Sequence, residues 1–520
     1  MGPNITENEV KEMIGIELRE KLKEVMRDVV EHFDNLMSDT MSEILHRLDK
    51  KASKESRDLA DSETFCNRTK RTEENALPAK QFLQRNSLLT DLYEVKHIRT
   101  IYNFSISTLI ILLIHTAVYD IRNTGLPILS INTIRRGFGK FPVVLYVWPL
   151  MKCSALGVYV AFCYWATRRL EFPPKLFIRR IWDYAWLGGF AAFLILLLVL
   201  PTKVVIDENL PVASSLIILM EQVRLVMKTH AFVRSVAPKV LSYKPHSEMP
   251  AVVLPDFSKF LYFMFVPTLI YQDSYPRLKK TRWNMVLINF TEVLAIIFFV
   301  AILYERMLYP TFRNYGTEPI EWGMLTLNIL SSVVPGMLLF VCGFYLLLHC
   351  WMNAFAEVLR FADKMFYKDW WNSIGYSAYY RNWNIVVHDW LYTYVYKDMY
   401  EILTPGDKTA SICAVFAISA IVHEYILSFA FGFFYPVMLL LFGGIGLSGM
   451  FLLKKTGNIF VWFTLCIGCG TLASLYCMEY FARINCPATR DGFIDYLIPR
   501  SWTCVYNSRT VEQSVADSYK

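Results

Sequence analysis

The feature that most constrains this chain is a series of nine apolar segments, each as long as a membrane-spanning helix. They cover residues 101–119, 143–166, 182–201, 212–233, 284–304, 322–349, 409–430, 434–453 and 458–481. A helix crosses a hydrocarbon core of about 30 Å with about 20 apolar residues. Hydrophobic residues make up 54% of the chain, which is more than a soluble domain carries. The sequence therefore predicts an all-α, polytopic transmembrane protein with about nine transmembrane helices.

The basic residues between these segments predict the orientation of the chain. Lys/Arg-rich stretches follow the second segment, at 168–180, and the fourth, at 234–282. Because basic loops stay in the cytosol, we expect both stretches and the N-terminus to be cytosolic. Nine crossings then place the C-terminal tail in the lumen. The basic run 135–140 opposes this orientation, since it falls on the lumenal side.

The polar ends of the chain flank a long membrane domain, which we expect to comprise residues 98–484. An amphipathic stripe of helical spacing lies within residues 1–66, which predicts a cytosolic helical segment that packs against a second copy. A helix lying on the membrane surface is the alternative. Residues 67–97 are expected to be a linker and pre-membrane segment, and residues 485–520 a lumenal tail. The net charge of +7 is diffuse and no nucleic-acid motif accompanies it, so we expect no nucleic-acid partner.

The cysteines predict one disulfide and no metal site. Most of the 11 cysteines lie in apolar segments, where a thiol acts as a small hydrophobic group. Cys486 and Cys504 instead fall in the predicted lumenal tail, an oxidising compartment in which a disulfide persists. We therefore predict a bridge between these two residues.

One histidine, His423, lies in the second half of the seventh apolar segment. It falls about 14 residues past the start of the segment at residue 409, which is roughly 21 Å deep. An ionisable side chain is costly in a bilayer and so indicates a functional site. Imidazole is basic near neutral pH, as a proton acceptor must be, and Ser419 one turn earlier shares its helix face. A histidine hydrogen-bonded between helices is the structural alternative.

The region 350–408, which precedes that segment, is dense in aromatic and polar side chains. We expect it to form amphipathic helices in or at the membrane rather than a free loop. Tyr380, Asn384 and His388 follow one another at four-residue spacing, which predicts that one helix face presents all three. An interfacial aromatic belt explains the aromatics but not the pairing of Asn384 with His388.

The fourth apolar segment carries three charged residues at helical spacing, Glu221, Arg224 and Lys228. They pair with one another, line a wet cavity, or sit solvated near the cytosolic surface. The last interpretation is slightly favoured at this point.

Several strings in the chain resemble known sequence signatures. FYKDWWN at 366–372 and the histidine of IVHEY at 421–425 resemble the signatures of the membrane-bound O-acyltransferases. The strings 221–234, 262–277, 349–372 and 433–438 resemble those of the sterol O-acyltransferases in that family, and the likeness extends from about residue 87 to 504. The motif residues are Phe366, Tyr367, Asp369, Trp370, Trp371 and Asn372.

The resemblance implies an enzyme of the endoplasmic reticulum membrane that transfers a long-chain acyl group from acyl-CoA to the 3-hydroxyl of cholesterol or a related sterol. It also implies a homodimer or homotetramer. Acyl transfer requires a base, oxyanion stabilisation and exclusion of water. We expect His423 to be the general base and Asn384 to hold the acyl carbonyl or the developing charge. The residues that match acyl-CoA contacts of the family are Tyr380, Arg381, Trp383, His388, Tyr396, Lys408 and Ser419. Acyl-CoA is a substrate, and no cofactor is expected.

Two other functions remain open from the sequence. A diacylglycerol acyltransferase of the same superfamily shares the same reactive centre, although the strings 262–277 and 433–438 favour the sterol type. A polytopic transporter that uses His423 as a proton relay is the second alternative. Transporters often have internal repeats or paired broken helices, and we find neither pattern in the sequence.

Overall fold

The structure is a computed structural model that describes residues 77–173, 177–243, 254–317, 320–453, 456–488 and 492–504. The chain divides into two units, residues 1–78 and 79–520, and the description below concerns the second. The predicted self-associating segment 1–66 lies outside the described residues, so it stays a prediction, as do the other domain boundaries.

The described part of the chain is built from helices. They are α1 (Leu88–Leu92), α2 (Lys96–Thr124), α3 (Ile131–Gly137), α4 (Phe141–Glu171), α5 (Phe177–Asp207), α6 (Val212–Ser242), α7 (Phe257–Phe265), α8 (Trp283–Phe312), α9 (Trp322–Ser331), α10 (Val333–Val358), α11 (Tyr376–Trp383), α12 (Ile385–Leu391), α13 (Lys408–Phe431), α14 (Leu439–Leu452), α15 (Asn458–Asn485) and α16 (Phe493–Leu497). Helix α12 continues through two π-helical stretches, Tyr392–Tyr396 and Met399–Leu403.

Among the described residues, seven helices are long and apolar enough to cross a membrane, namely α2, α4, α5, α8, α10, α13 and α15. The prediction of an all-α polytopic protein is therefore confirmed. The two other predicted segments correspond to α6, which carries charged residues, and α14, whose 8 and 6 residues span only about 21 Å. The sixth predicted segment divides near Ser332 into α9 and α10. The figure of nine crossings stays a prediction.

The charged residues of α6 make ion pairs and hydrogen bonds inside the protein. The Glu221 carboxylate lies 2.8 Å from the Arg224 guanidinium and 2.5 Å from the Lys152 ammonium of α4. Lys228 is only 1% exposed and donates to the carbonyls of Phe263 and Val266 at the end of α7. The slightly favoured interpretation, solvation near the surface, is wrong for Lys228, because the unpaired carbonyls at a helix C-terminus attract a buried cation.

Helix α13 has a defined start and is joined to two neighbouring helices. The Asp407 side chain accepts from the backbone N–H groups of Thr409 and Ala410, which caps the first turn. The Tyr425 hydroxyl donates to Gln222 of α6 at 3.0 Å and lies 2.5 Å from the Thr202 hydroxyl of α5. These hydrogen bonds between apolar helices set the rotation of α13 about its axis.

The segment between α10 and α11 is held by buried ion pairs. Glu357, 1% exposed at the end of α10, pairs with both Lys364 and Arg282. Asp363 binds the Arg85 guanidinium at 2.6 Å and 3.1 Å. Burial lowers the pKa of the Lys364 ammonium, although Glu357 opposes that shift. These ion pairs therefore hold in place the residues that directly precede the motif 366–372.

The end of the described chain folds back on α15. The predicted disulfide between Cys486 and Cys504 is present. The Arg500 guanidinium lies 2.7 Å from Asp495, and this hydrogen bond holds the pKa of the Asp495 carboxyl below its usual range. The backbone and side chain of Ser501 donate to Glu479 of α15.

Candidate active site

Helix α13 carries His423 far from the end at which it begins. His423 follows Lys408 by 15 residues, or about 22 Å of helix. Its Nδ1 lies 2.7 Å from the carbonyl oxygen of Ser419. A carbonyl can only accept, so Nδ1 carries the proton and the lone pair is on Nε2. The side chain is exposed, and a reactant can therefore reach a ring that is ready to accept a proton.

Aromatic side chains form a wall beside His423. The Phe442 ring of α14 lies 5.5 Å from the imidazole and 5.4 Å from Phe416 of α13. Tyr380 of α11 meets both phenyl rings edge-on, at 5.0 Å from Phe416 and 5.2 Å from Phe442. Tyr380 and His423, both predicted site residues, thus border the same pair of rings.

The structure corrects the prediction that Tyr380, Asn384 and His388 share one helix face. Helix α11 ends at Trp383, and Asn384 is extended, with φ −138° and ψ 92°. Its side-chain oxygen accepts from the backbone N–H of Val387 at 3.1 Å, capping α12. Asparagine favours such local bonds over a continuous helix, so the four-residue spacing alone did not reveal the break.

The motif 366–372 holds this break in place through its backbone. The N–H of Ile385 donates to the carbonyl of Phe366, and the N–H of Lys368 donates to the carbonyl of Asn382, both at 2.9 Å. These two bonds flank Asn384 on either side. The motif therefore fixes the position of the predicted catalytic amide without contributing a side chain to it.

The side chains of the motif divide into buried and exposed groups. Phe366, Tyr367 and Trp370 are buried, Trp371 is half-buried, and Asp369 and Asn372 are exposed. The Trp370 ring lies 4.7 Å from Trp383, a predicted acyl-CoA contact. Trp383 stacks on Phe340 of α10 at 4.3 Å and 15°, so its ring belongs to the aromatic core beneath the break.

Two predicted acyl-CoA contacts lie on one stacked row of rings along α12 and its continuation. His388, Tyr392, Tyr396 and Tyr400 follow at four-residue spacing, with ring centroids 6.4, 5.6 and 5.9 Å apart and planes within 6°, 14° and 5°. Arg381 and Lys408, the two predicted basic contacts, are exposed.

An ion-pair network lies next to the row of rings. The Asp389 carboxylate lies 2.6 Å from the Lys80 ammonium and 3.6 Å from His388. Burial raises the pKa of this carboxyl, but His388 and Lys80 outweigh that effect and hold the pKa below its usual range. Asp389 is therefore a carboxylate that keeps the segment before α1 joined to α12.

A buried histidine, His349 of α10, was missed by the sequence interpretation. Its Nδ1 lies 2.6 Å from the Tyr367 hydroxyl, 3.3 Å from the Asn353 amide and 3.4 Å from the Ser87 hydroxyl. The rule that identified His423 applies here too, because His349 is the last residue of the predicted segment 322–349. This cluster joins α10, the motif and the start of α1.

Among the described residues, no three His, Cys, Asp or Glu side chains come together as a metal site. The expectation that neither a metal nor a cofactor takes part remains a prediction.

Comparison with known proteins identifies one family. The membrane-bound O-acyltransferase family matches residues 212–481. Sterol O-acyltransferase 1 of Cricetulus griseus is 43% identical over 436 residues, covering 82% of this chain and 79% of that protein. Sterol O-acyltransferase 1 of Chlorocebus aethiops is 40% identical over 511 residues, covering 96% and 92%. Sterol O-acyltransferase 2 of Homo sapiens is 40% identical over 444 residues, covering 84% and 82%. With such identity along most of both sequences, the chain belongs to the membrane-bound O-acyltransferase family, in its sterol O-acyltransferase branch.

Proposed function

We propose that this protein transfers a long-chain fatty acyl group from acyl-CoA to the 3-hydroxyl of cholesterol or a related sterol. Similarity to sterol O-acyltransferases over most of the chain supports the substrates. The observation that carries the mechanism is the hydrogen bond from His423 Nδ1 to the Ser419 carbonyl, because it leaves Nε2 as a proton acceptor.

In this mechanism His423 acts as the general base. Nε2 takes the proton of the sterol hydroxyl as the oxygen attacks the thioester carbonyl carbon. The tetrahedral oxyanion is stabilised by the amide N–H of Asn384. When the intermediate collapses, the carbon–sulfur bond breaks and the CoA thiolate takes the sterol's proton from the imidazolium. The acyl group passes directly to the sterol, without an acyl-enzyme.

The CoA end of the donor is assigned to the side of the protein where α13 begins. Lys408 is exposed at that start, and Arg381 of α11 is exposed as well. Both suit the phosphates of CoA, since cations form charge-assisted hydrogen bonds with phosphate. The 15 residues of helix between Lys408 and His423 separate the two ends by about 22 Å. The extended pantetheine arm covers that distance and brings the thioester to the base.

The protein is proposed to reside in the endoplasmic reticulum membrane with a cytosolic N-terminus and a lumenal C-terminus. In sealed microsomes, a membrane-impermeant reductant should then leave the Cys486–Cys504 bridge intact until detergent is added. Reduction in sealed vesicles would reverse the assigned orientation.

Self-association as a homodimer or homotetramer is proposed to depend on residues 1–66. Light scattering of the full chain and of a variant lacking those residues should give different particle masses. Equal masses would remove this segment from the assembly.

The experiment that tests the proposed function compares His423→Ala with His115→Ala. His115 is also a histidine in a candidate membrane span, α2, but it takes part in none of the contacts described above for the site. With labelled oleoyl-CoA and cholesterol, His423→Ala should form no measurable ester at matched expression. His115→Ala should stay within about twofold of the wild type.

Near wild-type turnover by His423→Ala would rule out His423 as the general base. A wild-type protein that forms no sterol ester would rule out the proposed reaction itself.

A further inference from the structure

The glycines of α14 differ sharply in their surroundings. A Cβ atom built on Gly444 has no neighbour within 4 Å. A Cβ atom built on Gly446 would overlap the hydroxyl oxygen of Tyr380 and lie 3.3 Å from the ring carbon that bears it. Glycine costs about 1 kcal/mol relative to alanine inside a helix. At position 446 that cost has a structural reason, because the tyrosine occupies the space of a side chain.

Tyr380 packs against aromatic rings from three helices. Its ring lies 5.0 Å from Phe416 and 5.2 Å from Phe442, both edge-on, and 5.2 Å from the neighbouring Tyr379. Gly446 faces the hydroxyl end of the same side chain. In a close-packed interior, an added methyl group at one side moves the ring toward the others.

The displaced ring would act on the wall of the reactive site. Phe442 touches Tyr380 on one side and lies 5.5 Å from the His423 imidazole on the other. A shift of Tyr380 therefore changes the space in which an acyl thioester would meet His423. We propose that Gly446 is a positioning residue for acyl transfer, which sets the distance of Tyr380 from the Phe442–His423 wall. This inference rests on the proposed function.

The test compares Gly446→Ala with Gly444→Ala, two glycines of the same helix. Gly446→Ala should raise the KM for oleoyl-CoA about fivefold or more, since overpacking misplaces the donor site. Gly444→Ala meets open space, so its KM and kcat should stay within about twofold of the wild type. A Gly446→Ala enzyme with an unchanged KM would overturn the proposal. This holds even if its apparent kcat is lower because less of the protein is folded.

A suppressor variant separates this contact from other effects of the substitution. Tyr380→Phe removes the oxygen that the new Cβ would overlap and leaves a ring carbon at 3.3 Å, a tight contact. In the Tyr380→Phe background, Gly446→Ala should change KM by less than about twofold. An equal effect of Gly446→Ala in both backgrounds would overturn the proposal.

Thermal unfolding of the wild type, Gly446→Ala, Tyr380→Phe and the double variant distinguishes this inference from the proposed function. Gly446→Ala should lower the unfolding midpoint of the wild type and leave that of Tyr380→Phe nearly unchanged. If the wild type makes no sterol ester, the proposed reaction fails, while the unfolding data still decide whether Gly446 and Tyr380 are coupled. Additive unfolding shifts would overturn the coupling even in an active enzyme.

Discussion

At the scale of single residues, Asn384 has two roles that belong to different atoms. Its Oδ1 accepts from the Val387 N–H and caps α12. Its amide N–H is the proposed donor to the oxyanion. Aspartate keeps an oxygen acceptor for the cap but has no amide hydrogen, whereas alanine has neither. The two substitutions therefore separate the structural role from the chemical one.

We expect Asn384→Asp to unfold near the wild-type temperature but to lose about 10² to 10³ in turnover, the usual loss for one oxyanion donor. Asn384→Ala should show a similar loss in turnover and, in addition, about 1 kcal/mol of lost stability from the missing cap. Turnover with labelled oleoyl-CoA and thermal unfolding measure the two effects. If Asn384→Asp works at the wild-type rate, the amide takes no part in the reaction.

Sequence reasoning identified the base through polarity where the bilayer makes it costly, and the other predicted site residues through helical spacing or the family resemblance. His423 stands out for this reason, since it lies deep in an apolar segment. His349 escaped because it lies at the very edge of its predicted segment. Tyr380 and Phe442 meet only through tertiary packing, and no spacing along the chain reveals a contact between residues so far apart.

At the scale of elements, the buried carboxylate of Glu357 fixes the segment that leads to the motif. It forms ion pairs with Lys364, within that segment, and with Arg282, just before α8. Removing one partner of a buried ion pair leaves charge without compensation. The segment 361–372 in turn holds the break at Asn384 through its backbone.

Lys364→Met should therefore destabilise the protein by about 3 kcal/mol, the low end for breaking a buried pair, because Arg282 still contacts Glu357. The matched control is Glu171→Gln, which breaks the exposed Arg168–Glu171 pair on α4 and should leave stability unchanged. Thermal unfolding in one detergent compares the two variants. Equal midpoints for Lys364→Met and the wild type would mean that the ion pair does not fix the segment.

The elements themselves were largely predictable, but their interruptions were not. Apolar length located the seven membrane-length helices, because a bilayer demands continuous runs. The break at Asn384 depends on a local hydrogen bond, because the Asn384 side chain caps α12. Among the described residues, no side-chain hydrogen bond caps the start of α10 at the break near Ser332. Hydrophobic periodicity continues across such breaks, so it predicts one helix where the structure has two.

At the scale of the whole molecule, the family relationship and the geometry leave one substrate choice to be measured, the acyl acceptor. A sterol is a rigid apolar body with one hydroxyl, so it suits an aliphatic and aromatic slot with a single polar contact. The Phe442 ring beside His423 and the Phe416 ring that packs on Phe442 are walls of this kind. Diacylglycerol brings two flexible chains to the same hydroxyl chemistry.

We predict that cholesterol is esterified at least about tenfold faster than diacylglycerol, because a slot shaped for fused rings must immobilise both glyceride chains at a cost in conformational entropy. The two rates are compared in one detergent preparation with labelled oleoyl-CoA and both acceptors saturating. His423→Ala in the same assay should abolish transfer to either acceptor, since the base serves any hydroxyl. Equal rates, or a preference for diacylglycerol, would assign the protein to the diacylglycerol acyltransferases and leave the role of His423 intact.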